Sequence, residues 1–179
     1  MPFTPYHFGP SGFLGLLFRK WLDLPVLLLA NVVVDIEVLV ISWLNLGWPR
    51  HRYTHTLLLG AAAGIALGLA AFPFRRLFAR LMNLARIPYN PRLWKMLLSG
   101  ILGAWLHVAI DAIYHFDVRL LWPVKGKPLY GLLTHRQIKL ACVAFFVAAL
   151  IPYIFAVRAY LKNRSAGGNL TGRQGTGKS

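Results

Sequence analysis

Four apolar runs, residues 24–48, 57–74, 94–121 and 140–157, are separated by shorter polar stretches. About 20 apolar residues in a helix reach across a hydrocarbon core about 30 Å thick, so each run predicts a spanning helix. Residues 1–20 are apolar but too short to span, and suit a short re-entrant or interfacial helix with Pro10 in its first turn. In residues 75–95, Arg75, Arg76, Arg80, Arg86, Arg92 and Lys95 interleave with Leu77, Phe78, Leu81, Met82 and Leu84, with no acid. That pattern predicts an amphipathic helix lying on the membrane surface. Asp23 and Pro25 mark a helix start, since a carboxylate caps orphan N–H groups and proline is tolerated in a first turn. Gly47 and Pro49 mark its end. Gly60, Gly64 and Gly68 recur every four residues, which makes 57–74 a packing helix rather than a chemical one. The predicted fold class is all-α: an integral membrane helical bundle of about four transmembrane helices, plus the short amino-terminal re-entrant helix and the surface amphipathic helix. Residues 1–161 form one membrane-embedded domain, and 162–179 a polar, Gly-rich tail expected to be disordered.

Composition agrees with this pattern. The chain is 57% hydrophobic and 14% charged, where a soluble domain has about 45–50% and about 25%. The net charge of +15 sits in segments that flank the apolar runs, where basic residues meet anionic lipid and set orientation. Membrane lipids are therefore the expected partners, and nucleic acid is not expected, because no base-stacking motif accompanies the basic segment. The single Cys142 excludes an intramolecular disulfide and a multi-cysteine metal cluster. The amino end lacks the positive region of a secretory signal, so no cleavage is expected. The expected location is the inner (plasma) membrane, multi-pass.

Polar residues inside the apolar runs carry the candidate chemistry. His107, Asp111 and His115 recur every four residues in the stretch Trp105–His115, which puts them on one helical face with neighbours about 5–6 Å apart at Cβ. Imidazole and carboxylate are ligands for zinc and other divalent ions. Such groups are costly in lipid, so they mark a site or pair with one another as helix glue. His115 lies about 12 Å along the axis from His107 and is not expected to share its ion. The first spanning run holds Asn31, Asp35 and Glu37. Asp35 and Glu37, two apart, do not share a helical face, so one is expected to point into the bundle and the other sideways. His51 and His55 are four apart in the loop before the second run, where an interfacial belt of Trp, Tyr, His and Arg is the other reading. His7 opens the first short segment and reads as an interfacial residue or a ligand. His135 reads as a solvated loop residue. Gly172–Ser179 matches a P-loop pattern, but a P-loop must follow a strand and open a helix, so no nucleotide is expected.

Taken in order, Pro2-Phe3-x-x-x-His7, Asp35-Ile36-Glu37, His51-Arg52-x-x-His55-Thr56, Leu106-His107-x-x-x-Asp111 and Leu120-Leu121-Trp122-Pro123 resemble the family of membrane-bound metal-dependent hydrolases, also described as LexA-binding inner-membrane hydrolases. The resemblance covers about residues 1–125. It implies metal-site roles for His7, Asp35, His55, His107 and Asp111, with His51 as an additional candidate, and a LexA-type partner. The chain departs from the family pattern at Val34 where proline is usual, at Glu37 where aspartate is usual, at Thr56 where serine is usual, and at Tyr114-His115 where a Thr-Pro ending is usual. These changes leave the ligand chemistry intact and alter what surrounds it. A looser likeness to zinc-dependent phospholipase C lies only in the order of the ligands. The expected function is hydrolysis with a divalent ion, zinc first: imidazoles and carboxylate fix the ion, the ion activates water, and Glu37 takes the proton. The substrate is open between a lipid or lipid-linked phosphoester and an amide. The alternatives are a non-catalytic membrane protein with an intramembrane His/Asp ion or proton site, and an adaptor that binds a cytoplasmic partner through residues 75–95.

Overall fold

A computed structural model describes residues 5–47, 53–124 and 126–173, with side chains through Ser165. Among the described residues the regular structure is all helical, without a strand. The helices are α1 (Phe8–Leu17), α2 (Leu24–Trp43), α3 (Leu57–Ala71), α4 (Arg75–Leu84), α5 (Leu93–Tyr114), α6 (His135–Ala148) and α7 (Leu150–Arg173). A single 3-10 turn, Pro5–His7, leads into α1, and another, Phe72–Phe74, joins α3 to α4. Four stretches are long and apolar enough to cross a membrane: Leu24–Trp43, Leu57–Leu84, Leu93–Tyr114 and His135–Ser165. The chain is therefore a helical membrane bundle.

The boundaries differ from those read off the apolar runs, each for a local reason. The first span stops at Trp43 because Asn45 and Gly47 take positive φ, 49° and 66°, which a helix cannot continue. The third stops at Tyr114, where His115 turns extended while its N–H still bonds the Asp111 carbonyl at 2.7 Å. His135 does not lie in a loop: Thr134 and Gln137 form a capping box that starts α6 five residues before the apolar run begins. Helix α7 runs on through the polar segment to Arg173. Residues 174–179, most of the P-loop match, lie outside the described residues.

Helix α5 is the central post, packed along both α3 and α2. It approaches α3 through glycine: a Cβ on Gly64 would strike the backbone of Gly100, and one on Gly100 would strike Gly64. Two bare backbones in contact let the helices come close enough for dispersion to hold them without a hydrophobic driving force from lipid. Leu58, Ile65 and Leu69 point outward from the other face of α3. A core of Val34, Ala104, Val108, Ala112, Val118 and Leu120 closes the end of the bundle where α2 and α5 finish.

The other end is tied by Asp23. Its Oδ1 accepts from Val26 N at 3.2 Å and caps α2, its Oδ2 accepts from Tyr89 Oη at 2.6 Å, and its own N–H reaches Ser99 Oγ at 2.6 Å. The short α1 does not lie on the surface. Gly9 sits against the α6 backbone at Cys142, and Asn31 Nδ2 of α2 donates to Ser11 Oγ at 2.9 Å. At about 1.5 Å per residue α1 is about 15 Å long, so it enters the bundle without crossing it. The 3-10 turn that leads into it thereby carries His7 into the interior, 3% exposed.

Candidate metal centre

Three segments converge on one buried cluster. Helix α5 presents His107 and Asp111 one turn apart, α2 presents Asp35, and the loop before α3 presents His55. Thr56 sets the loop, its Oγ1 accepting from Leu59 N at 3.1 Å to cap α3, and Leu57 N bonds Leu120 O at 3.0 Å. Glu37 grips the same loop from α2. Its Oε1 accepts from Tyr53 N at 2.7 Å, and its Oε2 accepts from Thr54 N at 2.7 Å and from Thr54 Oγ1 at 2.6 Å. The two acids of α2 therefore face different things: Asp35 the cluster, Glu37 the loop that delivers His55.

The donor atoms are close-set. His107 Nε2 is 3.2 Å from Asp35 Oδ1 and 3.3 Å from Asp111 Oδ2. His55 Nε2 is 3.5 Å from Asp111 Oδ2 and 3.8 Å from Asp35 Oδ1. One atom from each of the four residues lies within 4.8 Å of all the others. Ligands about 2.0–2.1 Å from a tetrahedral ion stand about 3.3–3.4 Å from one another. Four of the six donor–donor spacings, 3.2–3.8 Å, lie near or somewhat above that edge length, and the buried His107 Nε2 makes no hydrogen bond among the described residues despite its two carboxylate neighbours. The donor set thus fits a divalent cation, and the cluster can hold one.

His7 and Glu37 stand one step behind. His7 Nε2 is 3.0 Å from Asp111 Oδ1, the oxygen turned away from the cluster, and the His7 ring stacks on His107 with centroids 4.3 Å apart. Glu37 Oε2 is 3.7 Å from His55 Nδ1, and Thr54 Oγ1 is 3.3 Å from it. His55 Nδ1 thereby has a carboxylate and a hydroxyl on the side that does not face the cluster, whereas His107 Nδ1 is buried without a hydrogen-bond partner among the described residues and has only the stacked His7 ring beside it. His55, outside the spanning segments, is buried, which opposes its charge, but Asp111, Asp35 and Glu37 outweigh burial and push it up to about 10. His115 packs on the Tyr114 ring and is not one of the four. His51 lies outside the described residues. Thr54 escaped the sequence reading, because a hydroxyl beside a candidate histidine says nothing until Glu37 is seen opposite it.

Fold and site define a polytopic helical membrane protein with a His/Asp cluster, able to hold a metal ion, buried between its helices. The family model described as YdjM inner membrane protein matches residues 8–171, and the chain belongs to that family. It is accordingly a multi-pass protein of the inner membrane. The match takes in Asp35, Glu37, His55, His107 and Asp111, with His7 one residue before it. No curated protein and no solved structure matches the chain.

Proposed function

We propose that this protein is a membrane-bound, metal-dependent hydrolase in which Asp35, His55, His107 and Asp111 hold a divalent ion, zinc first. The observation that carries the reading is the set of donor–donor distances, 3.2–3.8 Å, drawn from three separate segments. The resemblance to membrane-bound hydrolases supplies the reaction class. When bound, a divalent ion supplies Lewis acidity and lowers the pKa of water towards about 7.

The protein's own groups do the rest. His7 holds Asp111 Oδ1, which leaves Oδ2 for the ion, and its stacking fixes the plane of His107. Glu37 keeps His55 with Nδ1 towards itself and Nε2 towards the cluster. Its oxygens are taken up by Tyr53 and Thr54 and face the side of His55 away from the cluster, so its part in this reading is to position His55, and the proton-acceptor role expected from the sequence has no support in its placement. Asp35, at 13% exposed the most open of the four side chains, marks the side from which water and substrate enter. A phosphoester of a lipid or lipid-linked compound suits a site at this depth, since such a substrate reaches it within the bilayer.

A second reading has its own observation. The His7–Asp111 hydrogen bond ties the turn before α1 directly to α5, so the cluster would then be an intramembrane polar network or proton site. Metal content of the purified full chain separates the two. Close to one equivalent of Zn, Mn, Fe, Ni or Co supports the hydrolase. Less than about a tenth of an equivalent, with no uptake on titration, removes it.

A further inference from the structure

A second charged group surrounds a cavity of about 500 Å³ at the opposite end of the bundle, about 18 Å along α5 from His107. Arg19 and Lys20 reach it from the turn after α1, Tyr89 and Arg92 from the loop before α5, Lys95 from the first turn of α5, and Asn163 from α7. Among the described residues none of the four cations is in an ion pair. The nearby Asp23 is 1% exposed and already holds Tyr89 and the α2 cap.

Lys95 gives the cavity its direction. It is only 7% exposed, with its ammonium 5.8 Å from the Trp94 ring. The packing is mostly of its stem, its ammonium feels Asp23 as the one nearby carboxylate and is opposed by Arg92, and four cations against that single buried acid leave the cavity with an excess of positive charge that favours an anion. The start of α5 adds to the demand: Arg92 precedes the helix with no side-chain cap, so its first N–H groups keep the partial positive charge of a helix amino terminus. Donors from Tyr89 and Asn163 complete an arrangement suited to phosphate oxygens. Two tryptophans indicate the level of the cavity in the membrane. Trp21 and Trp94 flank it edge to face with centroids 6.3 Å apart, both exposed, and exposed tryptophans mark the headgroup layer.

We propose that this cavity binds the phosphate of an anionic phospholipid headgroup and so docks a lipid between α5, α7 and the 86–92 loop. Free phosphate shares the chemistry, and the tryptophan level favours the lipid. The test is native mass spectrometry of the full chain in detergent with phosphatidylglycerol, phosphatidylcholine or inorganic phosphate. Phosphatidylglycerol is expected to be retained under activation that strips phosphatidylcholine. Arg92→Gln and Lys20→Gln change exposed side chains that no packing depends on. Each should weaken retention about fivefold, and Lys95→Gln at least as much, at equal monodispersity. Arg76→Gln, exposed on α4 and away from the cavity, should leave it unchanged. Equal retention of the two lipids, or no effect of the three cavity variants, overturns the proposal. Displacement of phosphatidylglycerol by millimolar inorganic phosphate overturns the lipid assignment and makes the ligand a free anion.

Discussion

Glu37→Gln is the most informative single change, because it keeps the shape of the side chain and removes only charge and acceptors. The carboxylate takes Tyr53 N on one oxygen and both Thr54 N and Thr54 Oγ1 on the other. An amide has one carbonyl oxygen, so one of the two backbone donors must face an NH2 group. Tyr53 is exposed and Thr54 is half-buried. Glutamine should therefore turn its carbonyl to Thr54 and leave Tyr53 N to water. The loss is one charge-assisted hydrogen bond, about 1.5–3 kcal/mol before water compensates, and the negative charge 3.7 Å from His55 Nδ1. Both loosen the loop that delivers His55. Removing a carboxylate behind a metal-bound histidine weakens metal binding about 10–100-fold, which is about 1.4–2.8 kcal/mol and in line with one lost bond. The assay is a zinc titration of the detergent-solubilised full chain against a competing chelator, with membrane insertion and elution profile unchanged. A Kd within about twofold of the wild type, while Asp35→Asn weakens binding strongly, would refute the role given to Glu37.

Asp111→Asn and His107→Ala should each weaken zinc binding by more than about 100-fold, with His115→Ala near wild type; equal loss from His115→Ala and His107→Ala, measured by metal content after dialysis, would contradict the assignment. In the ion-free protein His55 is held protonated up to about 10, so zinc uptake at neutral pH must expel a proton and apparent affinity should rise about tenfold per pH unit between pH 6 and 9. A pH-independent Kd, or no proton release by calorimetry in two buffers, would argue against it. The positive-inside rule puts Arg19, Lys20, the 75–95 segment and the chain after Arg158 on the cytoplasmic side, and the His/Asp cluster in the outer half of the membrane. Cysteine probes at Tyr53 and Arg80 in a Cys142→Ser background should be labelled from outside and inside respectively; labelling of Tyr53→Cys only from the cytoplasm inverts the topology.

Apolar run length was enough to establish a four-span helical bundle, and the spacing of polar residues marked His107 with Asp111 and His115, Asp35 with Glu37, and His51 with His55 as candidates; which of them form one metal set was implied only by the family resemblance. Both are local properties: twenty apolar residues must span, and residues four apart on a helix must share a face. The sequence was less informative about where helices stop. Asn45, His115 and Thr134 decide three ends through φ, an extended cap and a capping box, none of which shows in hydropathy. Convergence was beyond it altogether. That α1 turns into the bundle rather than along its surface follows from Gly9 lying on the α6 backbone and Ser11 meeting Asn31. Only that packing puts His7 on Asp111, 104 positions away. Likewise Asp35 and Glu37, on different faces of one helix, serve the same imidazole because the loop holding His55 enters beside them. Contacts between segments depend on the third coordinate of each helix, and no periodicity along a chain contains it.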